Sequence, residues 1–279
     1  ELEVVLVNDC SPDDNSAEVC RLLADKQREL VFLDLARNFG EHNSVMAGLN
    51  HCSGDAAVII DDDFQNSPQD VIKLVDELLD GYDVVYSAYV KKEHHFFRNM
   101  GSRFNGMVAS ILIGKPRDLY LSSYKVLNRF LIDQVIKYQG PYPYIDGLIF
   151  RITRNYSTVT VEHSARQHGQ SGYTFKKLVS LWLNMFTNFS ILPLRFAVIA
   201  GLVFSVAGVI AAGIFFIEKL TNPELPVGWA SLIITLLIVS GVQLFTIGTL
   251  GEYLGRLFLQ VNGQPQYVVR EKISSAQRG

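Results

Sequence analysis

The stretch Ala56-Ala57-Val58-Ile59-Ile60-Asp61-Asp62-Asp63-Phe64-Gln65 decides how the first part of the chain folds. A short apolar run of this kind is typical of a buried strand, and here it leads directly into three carboxylates. Because side chains alternate along an extended chain, Asp61 and Asp63 are expected on one side and Asp62 on the other. Carboxylate oxygens are ligands that Mg²⁺ and Mn²⁺ prefer, so Asp61 and Asp63 are candidate metal ligands. An acidic turn that only contacts water is the alternative.

The region around this strand, residues 1 to about 165, alternates short apolar runs with helical periods. This pattern is typical of βαβ units and predicts a mainly parallel sheet. We expect strands at residues 4–7, 31–35, 56–60 and 84–88, and helices at 16–24, 43–52 and 68–79. Ligands of such a fold bind at the carboxyl ends of the strands.

Length and composition limit the classes of protein to consider. The 279 residues, 48% of them hydrophobic, suffice for one sizeable soluble domain and a membrane segment, but not for two enzymes. A net charge of -3 and the absence of a basic block with interleaved aromatics argue against a nucleic-acid partner. The three cysteines, Cys10, Cys20 and Cys52, lack metal-ligand spacing and indicate a reduced, cytosolic setting.

The second part of the chain carries two uncharged apolar stretches, Phe196–Ile217 and Trp229–Leu250. A helix needs about 20 apolar residues to cross a bilayer, so both stretches are predicted to span the membrane. Two buried helices of a soluble protein are the alternative. Before them, apolar residues recur at helical spacing between Phe175 and Phe189 beside two lysines, which favours a helix in the membrane interface.

Charge predicts the topology of this hairpin. The connector 218–228 has one Lys and two Glu, whereas basic residues precede and follow the pair of stretches: Lys176, Lys177, Arg195, Arg256, Arg270 and Lys272. Basic flanks stay in the cytoplasm, so we expect a multi-pass protein of the inner membrane whose first domain faces the cytoplasm. Small residues at Ala197, Gly201 and Ser205 form a seam for another helix, either the second stretch or a second copy in a homo-oligomer.

Several motifs, taken together, resemble one family. They are Val7-Asn8-Asp9-Cys10-Ser11-Pro12-Asp13, Arg37-Asn38-Phe39-Gly40, Ser53-Gly54-Asp55, Asp61-Asp62-Asp63-Phe64-Gln65-Asn66-Ser67-Pro68, Arg166-Gln167-His168-Gly169-Gln170-Ser171-Gly172-Tyr173 and Gly251-Glu252-Tyr253-Leu254-Gly255-Arg256. In order and spacing the chain resembles the family 2 glycosyltransferases that act on polyprenyl phosphates, the group of dolichol-phosphate mannose synthase and the bactoprenol glucosyltransferases. The likeness covers nearly the whole chain.

This resemblance implies an α/β fold, a Rossmann-like nucleotide-diphospho-sugar transferase domain of the GT-A type in residues 1–165. A mobile loop and interfacial helix (166–194), two transmembrane helices (195–255) and a cytoplasmic tail (256–279) follow. The implied reaction is metal-dependent, inverting transfer of a sugar from a nucleotide-sugar, such as a UDP-sugar, to a polyprenyl phosphate such as undecaprenyl phosphate. The implied cofactor is Mg²⁺ or Mn²⁺, and the implied role is modification of a cell-envelope glycan or lipopolysaccharide.

The resemblance also assigns residues. Asp61 and Asp63 take the metal and diphosphate, and Asp146 stands where many members keep a catalytic carboxylate, with a capping or positional role as the alternative. The implied donor-binding residues are Asp9, Arg37, Asp61, Gln65, Arg166 and Ser171. The implied acceptor-phosphate residues are Arg98, Ser102 and Arg103. The two arginines suit this role because one guanidinium group can donate hydrogen bonds to two phosphate oxygens at once. The alternative for these acceptor-phosphate residues is a charged loop that faces water or anionic lipid headgroups.

Two departures from the family pattern stand out. The chain opens at Glu1 directly into a strand-like run, so we expect the family's first strand and its Pro-X-Tyr-Asn-Glu motif to be missing. The segment 118–125 lacks an Arg that many members place there, and Lys125 is the nearest substitute. A processive polysaccharide synthase is the rival enzyme, but the chain lacks the Gln-X-X-Arg-Trp motif of that class. A non-catalytic membrane scaffold is the rival outside enzymes.

Overall fold

The computed structural model describes residues 1–11, 15–89, 115–116, 119–161, 192–221 and 228–274. The chain divides into two units. Residues Glu1–Val179 and Gly263–Gly279 form the first unit, and Ser180–Asn262 form the second. The end of the chain therefore returns to the unit with which it begins.

The first unit alternates strands and helices over its first half. Its elements are β1 (Val4–Asn8), α1 (Ser16–Lys26), β2 (Leu30–Leu35), α2 (Glu41–His51), β3 (Ala56–Ile59), α3 (Asp70–Leu79), β4 (Val84–Tyr89), β5 (Lys125–Asn128), α4 (Arg129–Val135), α5 (Ile145–Ile152), β6 (Tyr156–Val161) and, near the end of the chain, β7 (Val269–Ser274). All seven elements that we predict from residues 4 to 88 are confirmed, with boundaries that shift by one or two residues.

The prediction of a mainly parallel sheet is wrong. The described strands form one sheet with the order β1-β2-β7 and another with the order β3-β5-β4-β6. Of the pairs between described strands, β1/β2 and β4/β6 are parallel, whereas β2/β7, β3/β5 and β4/β5 are antiparallel. Every antiparallel pair includes β5 or β7, two strands that run in the opposite direction to their neighbours. An apolar run reveals a strand, but not its direction.

The packing of β2 explains why it lacks polar alternation. Val31, Leu33 and Leu35 pack on one side with Ala47 of α2, while Leu30 and Phe32 pack on the other with Ala24 of α1. A strand covered by helices on both faces must be apolar throughout, and each fully buried side chain of this size contributes about 1.5–3 kcal/mol. The exception is Asp34, whose carboxylate accepts a hydrogen bond from the buried Asn8 amide at 2.7 Å.

Helix α3 covers the second sheet through one apolar face. Leu74 and Leu78 lie four residues apart and pack with Val85 of β4 and Val126 of β5. Tyr124, just before β5, is buried in the same cluster. This packing fixes the ends of β3, β4 and β5 relative to one another, and the candidate site is built from those ends.

The second unit contains two long helices, α6 (Leu192–Thr221) and α7 (Trp229–Val261), which pack against each other. Large apolar side chains are exposed along both of them, for example Leu202, Val209, Leu244 and Ile247. Among the residues that the structure describes, no helix satisfies the length and hydropathy expected of a membrane span. The predicted interfacial helix between Phe175 and Phe189 lies outside the described residues.

Strand β7 lies within the segment 256–279, which the sequence analysis describes only as a tail. Helix α7 continues to Val261, and Val269–Ser274 then pairs antiparallel with β2. Arg21 of α1 forms an ion pair with Glu271 of β7 at 2.7 Å. The segment that follows the long helices is therefore an edge strand of the first sheet.

Candidate active site

The exposure of the three carboxylates after β3 alternates, in agreement with the sides expected from the sequence. Asp61 and Asp63 are half-buried, and Asp62 is exposed. Asp61 Oδ2 accepts a hydrogen bond from Ser123 Oγ at 2.6 Å, and Asp63 Oδ1 accepts one from the Gln65 amide at 3.1 Å. Phe64, between Asp63 and Gln65, has a φ of 58°. Bulky residues rarely adopt this backbone conformation, and it is often found at functional sites.

Two tyrosines hold the rest of this acidic loop. The Tyr89 hydroxyl donates to Asn66 Oδ1 at 2.9 Å, and the Tyr124 hydroxyl donates to the Ser67 carbonyl at 3.0 Å. The buried Ser122 hydroxyl lies 2.9 Å from the Tyr89 hydroxyl. Together with the Ser123 bond to Asp61, these contacts tie the loop after β3 to the segment that enters β5, so the two carboxylates are presented by a supported backbone.

Asp146 lies in the first turn of α5 and is part of a buried ion pair. Its Oδ1 accepts hydrogen bonds from the Lys125 ammonium and from the Tyr86 hydroxyl, the latter at 3.1 Å. Lys125 Nζ also lies 5.2 Å from the centre of the Tyr86 ring, within the range of a cation–π contact. Burial, followed by the charge of Asp146, raises the pKa of Tyr86 well above its ordinary value, so Tyr86 remains a donor.

Helix α2 begins beside these groups. Burial raises the pKa of the Glu41 carboxyl, and the charge of Asp61 raises it further, which places the start of α2 within electrostatic range of the acidic loop. Burial lowers the pKa of His42 to about 4, so this imidazole is neutral near pH 7. The His42 ring meets the Tyr144 ring edge-on, with 5.1 Å between centroids.

Asp9, at the end of β1, holds the loop that leads into α2. Its two carboxylate oxygens accept hydrogen bonds from the amides of Phe39 and Gly40, each at 2.7 Å. Gly40 has a φ of 92°, which favours glycine. The Arg37 guanidinium stacks over the Phe39 ring at 4.7 Å. Each Asp9 oxygen keeps a second lone pair, so Asp9 fixes this loop and still has acceptor capacity for a ligand.

The sequence of this α/β domain matches a known protein family. The family model described as "Glycosyl transferase family 2" matches residues 1–152, which include β1 to α5 and the contacts of the candidate site. The chain belongs to glycosyl transferase family 2. It is thus a glycosyltransferase with a GT-A-like α/β domain, and the resemblance stated from its motifs is confirmed.

Two curated relatives of this glycosyltransferase carry the name undecaprenyl-phosphate 4-deoxy-4-formamido-L-arabinose transferase. The protein from Yersinia enterocolitica is 30% identical over 278 residues, covering 99% of this chain and 85% of that protein. The protein from Proteus mirabilis is 29% identical over 279 residues, covering 98% and 84%. A solved structure, glucosyl-3-phosphoglycerate synthase from Mycobacterium tuberculosis, is 17% identical with a TM-score of 0.47, covering 67% of this chain and 69% of that one.

The donor set of the acidic loop fits a divalent metal ion only in part. Among the described residues, no group of three or more His, Cys, Asp or Glu side chains is arranged to hold a metal ion. However, Mg²⁺ keeps several waters and is commonly bound by one or two carboxylates together with substrate phosphates. Asp61 and Asp63, half-buried on the same loop, match that arrangement, so these two carboxylates could hold an ion together with waters and substrate phosphates.

The structure brings some of the predicted residues of this glycosyltransferase together. Asp61, Asp63 and Gln65 share the acidic loop, and Asp146 interacts electrostatically with Glu41, as Asp61 does. Arg37 belongs to the loop before α2, and Asp9, which follows β1, accepts hydrogen bonds from that loop. Five predicted residues lie outside the described residues: Arg98, Ser102, Arg103, Arg166 and Ser171.

Sequence reasoning missed four residues that the structure adds to the site: Glu41, His42, Tyr86 and Ser123. None of them belongs to a motif that signals chemistry by itself. A glutamate at the start of a helix is ordinarily explained by the helix dipole, and a serine before a strand by a turn. Lys125, which the sequence analysis notes only as a substitute for an arginine, proves to be the partner of Asp146.

Proposed function

We propose that this enzyme transfers a sugar from a UDP-sugar to undecaprenyl phosphate or a related polyprenyl phosphate, for modification of a cell-envelope glycan or lipopolysaccharide. The observation that carries the proposal is the similarity to undecaprenyl-phosphate sugar transferases over 99% of the chain. A likeness of that extent includes the helices of the second unit as well as the α/β domain. The proposal therefore covers the acceptor as well as the type of reaction.

The proposed reaction is a single displacement with inversion. An oxygen of the acceptor phosphate attacks the anomeric carbon, and the bond from that carbon to the diphosphate oxygen breaks, so that the nucleoside diphosphate leaves. Asp61 and Asp63 would hold Mg²⁺ or Mn²⁺ against the donor diphosphate. A divalent ion bound there neutralises charge on the leaving diphosphate. Ser123 fixes one oxygen of Asp61, which leaves the other to face the ligand.

Asp146 has a positional role in this proposal. The acceptor is a phosphate monoester, which is already an anion near neutral pH and needs no general base to activate it. The Oδ1 of Asp146 accepts hydrogen bonds from an ammonium group and a phenol hydroxyl, which supports a role in holding those two groups. We assign to Asp146 the task of holding Lys125, whose positive charge acts on Glu41 at the start of α2.

The remaining predicted residues complete the proposal. Asp9 and Arg37 would contact the nucleotide, with Asp9 using the lone pairs that Phe39 and Gly40 leave free. Gln65, on the acidic loop, would assist at the diphosphate. Arg166 and Ser171 would close over the diphosphate, and Arg98, Ser102 and Arg103 would bind the lipid phosphate. These last five assignments rest on the family motifs and on charge alone.

We further propose that α6 and α7 form a membrane hairpin. Both helices contain a stretch of 22 residues without Asp, Glu, Lys or Arg, and their described side chains expose large apolar groups. The chain enters α6 from the first unit and returns to it after α7, where β7 pairs with β2. Both ends of a hairpin with this connectivity lie on the same side of the membrane. The basic flanks support a cytoplasmic location for that side, where nucleotide-sugars are found.

The test of the proposed function is analysis of lipid products. The full-length protein in detergent or vesicles is incubated with undecaprenyl phosphate and a panel of radiolabelled nucleotide-sugars, and the lipid fraction is separated and examined by mass spectrometry. The proposal expects one sugar-phospho-polyprenol product from a UDP-sugar. Transfer only to a soluble acceptor, or growth of a polymer, would assign a different function. No turnover with any donor would favour the scaffold.

A further inference from the structure

The segment between α7 and β7 contacts the loop that leads into α5, the helix that contains Asp146. Gln266 lies in this segment and is 9% exposed. Its side-chain amide donates two hydrogen bonds, one to the Tyr138 carbonyl at 2.7 Å and one to the Gly140 carbonyl at 2.8 Å. The two acceptors precede α5 by only a few residues. One side chain from the end of the sequence therefore fixes two backbone carbonyls next to the site.

The chain between Gly140 and Asp146 transmits this constraint. Pro141 and Pro143 fix two of the φ angles in the connection, which makes it stiff. Gly140 itself is closely packed, because a side chain there would collide with the Tyr138 hydroxyl. Tyr144 then packs edge-on against His42 of α2. A loop held at Gly140 in this way determines where α5 begins.

Strand β7 places Gln266. The Ala36 amide donates to the Val268 carbonyl at 2.8 Å, and Arg270 donates to the Ala36 carbonyl at 2.7 Å. Five consecutive residues of β2 pair with β7 after that point. Ala36 also precedes the loop that Asp9 holds. The segment after α7 is thus in contact with the loop before α5 and with the residue that precedes the loop before α2.

We infer that Gln266 is a positioning residue of the active site: by holding the Tyr138–Gly140 carbonyls it sets the start of α5 and hence the Asp146–Lys125 pair. This inference rests on the proposed transfer reaction. Its consequence is that catalysis depends on the segment that follows the second long helix, and not only on residues 1–161. A role confined to stability would leave turnover by the folded enzyme unchanged.

The test compares Gln266→Met with Gln264→Met in the full-length protein. Methionine keeps the length and volume of glutamine but donates no hydrogen bond, so Gln266→Met removes the two bonds and little else. Turnover is measured well below the melting temperature, with the KM for both substrates. We expect kcat to fall by about 10- to 100-fold, the scale of a small misplacement of catalytic groups, with both KM values within about twofold of the wild type.

Hydrogen exchange supplies a readout that does not need turnover. The Leu148 amide donates to the Tyr144 carbonyl in the first turn of α5, and it should exchange faster in Gln266→Met but not in Gln264→Met. An unchanged kcat or an unchanged exchange rate at Leu148 overturns the inference while the proposed function stands. If the wild-type protein transfers no sugar, the proposed function fails instead, and with it the catalytic part of the inference; the exchange rate still decides the structural part.

Discussion

Lys125 and Asp146 form an ion pair with both side chains almost completely shielded from water, at 4% and 9% exposure. Lys125 begins β5 and Asp146 lies in the first turn of α5, so the pair joins the middle of the second sheet to the helix that follows the loop held by Gln266. A charge in such a place is tolerated only when it is paired and hydrogen-bonded, and Tyr86 provides the additional donor. The pair therefore contributes both to the stability of the fold and to the geometry of the proposed active site.

Removal of one partner of this pair is expected to destabilise the protein strongly. Lys125→Met leaves the Asp146 carboxylate buried without its cation, which should lower the free energy of unfolding by about 3–5 kcal/mol. The double variant Lys125→Met/Asp146→Leu should recover most of that loss, because no unpaired charge remains. Chemical denaturation in detergent measures both values, with the exposed Lys137→Met as the control. Equal losses in the single and double variants would contradict the account.

The buried His42 predicts a dependence of stability on pH. Its pKa is about 4 in the folded protein and about 6.5 in the unfolded chain, so below pH 6.5 protons bind preferentially to the unfolded state. Stability should therefore fall as the pH drops from 6.5 toward 4, by up to about 3 kcal/mol from this group alone. His42→Phe keeps a ring against Tyr144 and should flatten the curve of unfolding free energy between pH 7.5 and 5.

The matched control for that measurement is His51→Phe at the other end of α2, which reports the general effect of removing a histidine from this helix. The two variants are compared by denaturant unfolding at each pH. A His42→Phe curve as steep as that of the wild type would show that another group causes the pH dependence.

Asp9→Asn should affect the loop before α2. The amide oxygen can accept only from one side of the former carboxylate, so either the Phe39 or the Gly40 amide loses its partner, at a cost of about 1–3 kcal/mol. The loop also carries Arg37, so the affinity for UDP, measured by calorimetry, should fall as well. Asp55→Asn, an exposed substitution, is the control. Unchanged UDP affinity in a destabilised Asp9→Asn protein would restrict Asp9 to a structural role.

Local patterns were sufficient to predict most elements of the first unit, and long-range pairing was not. The apolar run before Asp61 predicts β3, and the helical period of residues 68–79 predicts α3, because those signals lie within one element. The pairing of Val31 with Ser274 depends on residues at opposite ends of the chain. No feature of the segment after α7 indicates that it returns to β2, so the direction and the partners of β7 could not be predicted.

In the candidate site, too, local patterns could be predicted from the sequence and long-range contacts could not. Asp61 and Asp63 were predictable because a strand that ends in carboxylates is a local pattern with a chemical meaning. Glu41 and Ser123 become part of the site only when α2 and the segment before β5 approach the acidic loop. The alternatives left open for Asp146 could not be decided from its neighbours in sequence, because its partners, Lys125 and Tyr86, are distant in the chain.

The proposed hairpin makes a prediction about topology. Single cysteines replace Asn222, in the connector, and Gln264, after α7, in a chain whose natural Cys10, Cys20 and Cys52 are changed to serine. A membrane-impermeant thiol reagent should label the two positions from opposite sides in oriented vesicles, because both ends of the hairpin share one side and the connector lies on the other. Labelling of both positions from the same side would exclude the hairpin.

The central claim is that the acidic loop after β3 supports sugar transfer to a polyprenyl phosphate, and sugar transfer by three isosteric variants tests it most directly. Asp61→Asn and Asp63→Asn each remove one negative charge from the half-buried side of the loop, whereas Asp62→Asn changes the exposed residue between them. Loss of one preorganised charge-stabilising contact corresponds to roughly a 10²- to 10³-fold lower rate.

The measurement is the Mg²⁺- or Mn²⁺-dependent rate of radiolabelled sugar transfer to undecaprenyl phosphate by the full-length wild type and the three variants, with circular dichroism as the control for folding. The account predicts that Asp61→Asn and Asp63→Asn are folded but slower by that factor, with a raised metal requirement, and that Asp62→Asn stays within about threefold of the wild type, as exposed substitutions away from the ligand do. Wild-type rates in folded Asp61→Asn and Asp63→Asn proteins would contradict it.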